Sequence, residues 1–106
     1  LKSEADIQRA CMIEASRCGA ITWRNNTGAY NDGQRYIRYG LCKGSSDLIG
    51  IFKGRFLAIE VKTPKGRVSK EQKKFIDAVN GAGGIGFVAR SPEDVKKHLT
   101  EATMTL

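Results

Sequence analysis

Two short apolar runs with two residues between them constrain this chain more than any other feature. Asp47-Leu48-Ile49-Gly50-Ile51-Phe52 and Phe56-Leu57-Ala58-Ile59-Glu60-Val61-Lys62-Thr63 both read as strands, and Lys53-Gly54, followed by Arg55, reads as a two-residue hairpin loop. Side chains alternate along a strand, so Leu57, Ile59 and Val61 share one face, and Phe56, Ala58, Glu60 and Lys62 share the other. With that loop, Phe52 faces Arg55, and counting outward Asp47 faces Glu60, with their Cβ atoms about 5 Å apart. Like charges placed directly opposite are destabilising, so the pair calls for a cation. The turn is the weak link, because Lys-Gly is a poorer turn signal than Asn-Gly and a bulge would move the pairing by one residue.

An acid, a short gap and then acid-x-lysine is the layout of a divalent-metal phosphodiesterase centre. Mg²⁺ takes carboxylate oxygens at roughly 2.1 Å and keeps several waters for itself or for substrate phosphate. An isolated Glu-x-Lys is commonplace. Here it lies in an apolar strand, opposite a second acid, in a chain of net charge +7. The charge is concentrated around the pair. From Lys53 to Lys74, the basic residues Lys53, Arg55, Lys62, Lys65, Arg67, Lys70, Lys73 and Lys74 oppose only Glu60 and Glu71. A basic block around an acidic site suits a polyanion whose phosphates must reach a metal, although a solvated basic face has the same composition.

Residues 3 to 18 read as a helix, with Ser3 and Asp6 suited to a capping pattern and Ile7, Ala10, Cys11, Ala15 and Cys18 in one arc. Glu14 falls in the same arc, where it either contacts a metal or water or sits at the edge of the stripe and pairs with an arginine. Residues 21 to 26 and 34 to 41 read as strands, with Thr27 to Gly33 as a loop between them. Arg24, Arg35, Arg38 and Lys43, interleaved with aromatics, are candidates to touch a nucleic-acid backbone or stack on bases.

After the loop Thr63 to Val68, Ser69 caps a helix with Phe75, Ile76 and Val79 inward, ended by the Gly81 to Gly84 cluster. Ser69-x-x-Gln72 is a capping box, so Gln72 serves the cap or positions a phosphate or water. Lys70, Lys73 and Lys74 crowd the end of this helix where the macrodipole disfavours cations, which a bound phosphate would reconcile. Residues 85 to 90 form a last strand and Ser91-Pro92 opens a short final helix. A strand, a crossover helix and a returning strand imply a parallel pair beside the hairpin, hence a mixed sheet.

At 106 residues the expectation is one domain, residues 1 to 106. No segment approaches the ~20 apolar residues of a membrane span, and no signal-peptide pattern opens the sequence. Cys11 and Cys18 are roughly 10 Å apart along a helix, too far for a disulfide. No Cys-x-x-Cys is present and His98 is the only histidine, so zinc is not expected. His98 reads as a surface residue. The chain reads as intracellular and reduced.

Gly44-Ser45-Ser46-Asp47-Leu48-Ile49-Gly50, Ile59-Glu60-Val61-Lys62-Thr63 and Gly66-Arg67-Val68-Ser69-Lys70-Glu71-Gln72-Lys73-Lys74-Phe75, in that order and spacing, resemble the virus-type replication-repair nuclease (VRR-NUC) domain of the PD-(D/E)xK nuclease superfamily, in the stand-alone form that phages carry. The resemblance implies an α/β restriction-endonuclease-like fold, a mixed sheet flanked by helices in the order α-β-β-β-α-β-α. It implies Asp47 and Glu60 as metal carboxylates, Val61 as a ligand through its carbonyl, and Lys62 as the catalytic lysine. Gln72 matches the glutamine of the following helix, and Glu14 matches the acid of the first helix. Ser46 departs from the pattern, standing where the superfamily has proline. The implied activity is Mg²⁺- or Mn²⁺-dependent cleavage of DNA, including Holliday junctions or other branches. A homodimer would bring two sites to a two-fold axis, and a viral member would work in the host cytoplasm. A basic nucleic-acid-binding module without catalysis and a sequence-specific restriction-type enzyme are the alternatives.

Overall fold

The protein is described by a computed structural model covering residues 2–105. Helix α1 (Glu4–Arg17) begins with a reciprocal cap. The Asp6 N–H donates to Ser3 Oγ at 3.2 Å and the Ser3 N–H donates to Asp6 Oδ2 at 3.3 Å. There follow β1 (Ile21–Arg24), β2 (Gly28–Asn31), β3 (Tyr36–Tyr39), β4 (Leu48–Phe52), β5 (Arg55–Val61), α2 (Lys70–Gly81), β6 (Ile85–Ala89) and α3 (Pro92–Met104). Four strands form a sheet in the order β1-β4-β5-β6, in which β5 and β6 run parallel and the other neighbours antiparallel. Its strands and the helices follow the expected order, α-β-β-β-α-β-α, of a restriction-endonuclease-like core.

The hairpin register is the expected one. Lys53 and Gly54 both adopt positive φ, 49° and 77°, as a type I′ turn requires. Phe52 pairs with Arg55 and Leu48 with Ile59 without a bulge. Asp47 lies one residue before β4, and the same register carries it opposite Glu60.

The stretch Thr27 to Gly33 is not simply a loop. Gly28–Asn31 is strand β2, paired antiparallel with β3 in a separate two-stranded ribbon inserted between β1 and β4. The turn occupies only the residues after Asn31. There Asn31 Oδ1 accepts the Gly33 N–H, and Asp32 Oδ1 accepts the N–H groups of Gln34 and Arg35, all at 2.9 Å. The Gly and Asn content that reads as a loop reflects this turn and a contact at Gly28, where the Tyr39 side chain occupies the space a Cβ would need.

The sheet separates two environments. Leu48, Phe52, Leu57, Ile59, Val61, Ile85, Phe87 and Ala89 pack with Ile7, Cys11 and Ala15 of α1 and Val95, Leu99 and Ala102 of α3. Leu57 and Ile59 are wholly buried, worth about 1.5–3 kcal/mol each against exposure. α3 is longer than the short helix expected, because Ala102 carries its buried stripe one turn past Leu99. On the opposite face, Ile49 and Ala58 pack under Val79 and Phe75 of α2. Ile21, Trp23, Ile51 and Phe56 remain exposed there, across β1, β4 and β5. Cys11, Cys18 and Cys42 are all free thiols. Among the described residues no helix is long and apolar enough to cross a membrane.

Gly44 joins the ribbon to the segment that carries Asp47. It has φ 85°, and a Cβ there would meet the backbone of Glu71 in α2 at 2.6 Å. Gly54 also has positive φ, but open space where its Cβ would lie. Gly54→Ala should therefore lower stability by about 1–2 kcal/mol from backbone strain alone. Gly44→Ala should lose about 1–3 kcal/mol more from overpacking. Urea unfolding of both variants checks this, and equal losses would show that the α2 backbone yields freely.

Candidate active site

Glu60 is the penultimate residue of β5, on the α2 face, and only 2% exposed. A carboxylate so deep in the fold needs compensation. Gln72 Nε2 donates to its Oε2 at 3.1 Å, and Lys62 Nζ lies 3.8 Å from the same oxygen, itself only 14% exposed. Glu60 Oε1 is buried with no hydrogen-bond partner among the described residues. Burial raises the Glu60 pKa to about 8; the facing Asp47 carboxyl pushes it further up, through its charge and because a protonated Glu60 can donate to it, whereas the ionised Glu60 has no donor for Oε1; Lys62 opposes the shift and the charge of Glu4 adds to it.

Asp47 is half-buried, and its Oδ2 accepts the Val61 N–H at 2.8 Å. The Lys62 N–H turns the other way and donates to Ala89 O of β6 at 3.0 Å. The N–H and C=O of one strand residue point to the same side, so the Val61 carbonyl faces the Asp47 side. Two carboxylates, one of them with a buried oxygen that has no donor, and a strand carbonyl make an oxygen-rich set that fits a hard divalent cation completed by water. Among the described residues no group of three or more His, Cys, Asp or Glu could hold a metal ion. An ion here would therefore rest on these few oxygens.

Gln72 does not have to choose between its two expected roles. Its Oε1 accepts the Ser69 N–H at 2.9 Å as the capping box requires, and its Nε2 is left aimed at Glu60. Ser46, at the proline position, is wholly buried with a partnerless Oγ, so the hydroxyl takes no part in the site's hydrogen bonding.

Glu14 is not brought to the acid pair. Its carboxylate accepts from Cys18 Sγ at 3.7 Å and lies 3.7 Å from Arg17, both on its own end of α1. That end is about 15 Å along the helix from Glu4, the α1 acid whose charge does act on Glu60. Glu4 resembles an ordinary first-turn acid in the sequence, and only the docking of α1 gives it this reach. Arg24 is exposed at the end of β1, paired with Leu48 next to Asp47. Arg35 sits 3.6 Å from Asp32 in the ribbon turn, while Arg38 and Lys43 line a groove beside the ribbon. Lys65, Arg67, Lys70 and Lys73 are exposed on the loop after β5 and the first turn of α2, with Lys73 3.0 Å from Asp77. His98 is half-buried and stacked on Phe87, ring centroids 4.3 Å apart, rather than on the surface.

Two positioning residues carried no signal in the sequence. Arg90, just after β6, donates through Nη1 to the carbonyls of Thr63 at 2.7 Å, Pro64 at 3.3 Å and Gly66 at 2.8 Å, fixing the loop that leaves Lys62. Asn25 donates through Nδ2 to Ser45 Oγ at 2.8 Å and Ser46 O at 2.9 Å, and its N–H donates to Asp47 O at 2.8 Å.

The raised Glu60 pKa has a definite sign in stability. Between its ordinary value of 4.5 and about 8, the folded protein keeps a proton that the unfolded chain has released. The stabilising contribution is complete below 4.5 and is lost as pH rises through about 8. In EDTA, urea unfolding from pH 5 to 9 should show wild type losing stability relative to Glu60→Gln across this window. A constant difference between the two would mean that Glu60 is ionised at normal carboxylate pH.

The VRR-NUC domain model matches residues 2–93 of the 106-residue chain. None of the curated proteins compared with it matches. The matched span runs from before α1 to the start of α3 and takes in Asp47, Glu60, Lys62, Gln72 and the basic loop between them. With the mixed sheet and the paired acids at the end of its central hairpin, that match places the chain in the VRR-NUC family, with its nuclease-type fold.

Proposed function

We propose that this protein is a Mg²⁺- or Mn²⁺-dependent endonuclease that hydrolyses phosphodiester bonds in branched DNA. The observation that carries the reading is Glu60, buried opposite Asp47 with one carboxylate oxygen lacking any donor and Lys62 3.8 Å from the other. Asp47, Glu60 and the Val61 carbonyl would hold the cation. When bound, such an ion supplies Lewis-acid charge to the scissile phosphate and to the attacking water. Lys62 would orient that water or neutralise charge developing on the phosphate. Gln72 engages Glu60 Oε2, which would leave Oε1 free to hold a cation. Lys65, Arg67, Lys70 and Lys73 would follow the DNA backbone towards the acids.

A homodimer suits a junction that needs two symmetric cuts. The exposed apolar row of Ile21, Trp23, Ile51 and Phe56, on the sheet face that carries Glu60, supports a second copy. Action within the cell follows from the same reading.

Labelled duplex, flap, fork and four-way junction incubated with Mn²⁺ or EDTA form the test. Wild type should cut the branched substrates with Mn²⁺ and none with EDTA. Lys62→Ala should lose cutting by at least a hundredfold while its mobility shift stays close to wild type, since Lys62 is one charge among many. A Lys62→Ala protein that cuts at the wild-type rate would remove the lysine from the mechanism. Binding without any cutting would indicate a nucleic-acid-binding module, and cuts at one short sequence in linear duplex a restriction-type enzyme.

Asp47→Asn tests the acid pair separately. The substitution removes one charge and leaves an amide oxygen able to accept the Val61 N–H. In EDTA its melting temperature should equal or exceed that of wild type. Mn²⁺ should stabilise wild type by mass action and Asp47→Asn much less. A melt far below wild type in EDTA would make Asp47 a structural acceptor and nothing more.

A further inference from the structure

The β2–β3 ribbon is placed and furnished for a purpose the acid pair does not explain. A two-stranded hairpin is marginal in water on its own, and this one belongs to no larger sheet. Yet all three tyrosines of the chain, Tyr30, Tyr36 and Tyr39, lie on it, and all three are exposed. Two of them have a structural use. Tyr30 and Tyr39 share a face and tilt against each other with ring centroids 6.5 Å apart, and Tyr39 also closes over Gly28. Tyr36 does not share it. It points to the other face, beside Arg38, and is 68% exposed.

Beside the ribbon runs a groove of about 310 Å³. Its lining includes Gly28, Tyr36, Arg38, Tyr39, Lys43 and Gly44. Aromatic faces and cations meet there without a competing acid. Between Arg24 and Ser46 the only carboxylate is Asp32, and that group is taken up by the turn, where N–H bonds from Gln34 and Arg35 hold its pKa below the usual carboxylate range. Aromatic rings with interleaved cations are the chemistry that binds unpaired nucleotides, through base stacking and phosphate contact. Gly44, in the groove lining, lies three residues before Asp47 in the chain.

From this we infer that the ribbon is a binding arm for unpaired nucleotides of a DNA substrate, with a base stacked on Tyr36 and flanking phosphates on Arg38 and Lys43. The inference rests on DNA being the substrate, as proposed above, and names the part of that substrate the ribbon takes. Duplex can be held by the basic loop and the first turn of α2. The ribbon adds selectivity for a gap, flap or branch point, where bases are unstacked.

The test is equilibrium binding in EDTA, where no bond is cut, so that catalysis does not enter the reading. The probes are a single-stranded oligonucleotide containing 2-aminopurine and a blunt duplex with the same number of phosphates. Wild type should change the 2-aminopurine fluorescence on binding and hold the single strand more tightly than the duplex. Tyr36→Ala, at an exposed position that does not threaten folding, should weaken single-strand binding about tenfold and leave duplex binding within twofold. Tyr36→Phe should keep wild-type affinity, because the ring and not the hydroxyl stacks. Unchanged single-strand affinity in Tyr36→Ala, or an equal loss on both probes, would overturn the inference. Wild type that cuts no DNA in Mn²⁺ but shows the Tyr36 effect would sink the endonuclease reading and leave the ribbon's role standing.

Discussion

The parity of the β4–β5 hairpin governs the rest of the molecule. Lys53 and Gly54, both at positive φ, close the two-residue turn, so Phe52 meets Arg55 and every later pair follows. A slip of one residue would turn Leu57, Ile59 and Val61 out of the α1–α3 core and drive Glu60 into it. The same parity that buries the apolar stripe puts Asp47 and Glu60 on the α2 face. Core and site are two sides of one register, and the large burial energy on one side holds a repulsive pair together on the other.

That repulsion is relieved by a proton on Glu60 below about pH 8 and returns above it. Glu60 has one charged neighbour that favours ionisation, Lys62, against burial, Asp47 and Glu4, which disfavour it. Gln72 engages Oε2 without changing the charge balance, and Oε1 keeps no partner. A site meant only to stabilise the fold would satisfy that atom or replace it with an apolar group. The one left open is what the proposed cation would occupy.

The elements written in periodicity were legible before the structure. Alternation along 56–63 gave the faces of β5, and Ser69 and Gln72 announced the start of α2. What escaped was set by contacts between distant segments. Gly28–Asn31 has a single strand-favouring residue, Tyr30, and becomes a strand because β3 lies beside it. Glu14 shares the buried arc of α1, but helical phase says nothing about which end of the helix approaches the acids; Glu4 is the one whose charge reaches Glu60. Arg90 and Asn25 act on carbonyls far away in the chain, and no local pattern encodes a hydrogen bond across 20 or more residues.

Asn25 gives the ribbon a mechanical character. It stands at the entry to the ribbon, and its three hydrogen bonds run to Ser45, Ser46 and Asp47 at the exit. Gly40, near that exit, has no room for a Cβ against Asn26 and Thr27. The two legs are therefore riveted together at the root, and the exit leg continues into the residue opposite Glu60. Tilting the ribbon must either stretch the Asn25 bonds or carry the Asp47 backbone along with it. Force applied at the tyrosine end would be passed through these bonds to the backbone of the residue opposite Glu60, whose spacing from that carboxylate the proposed divalent ion would sense.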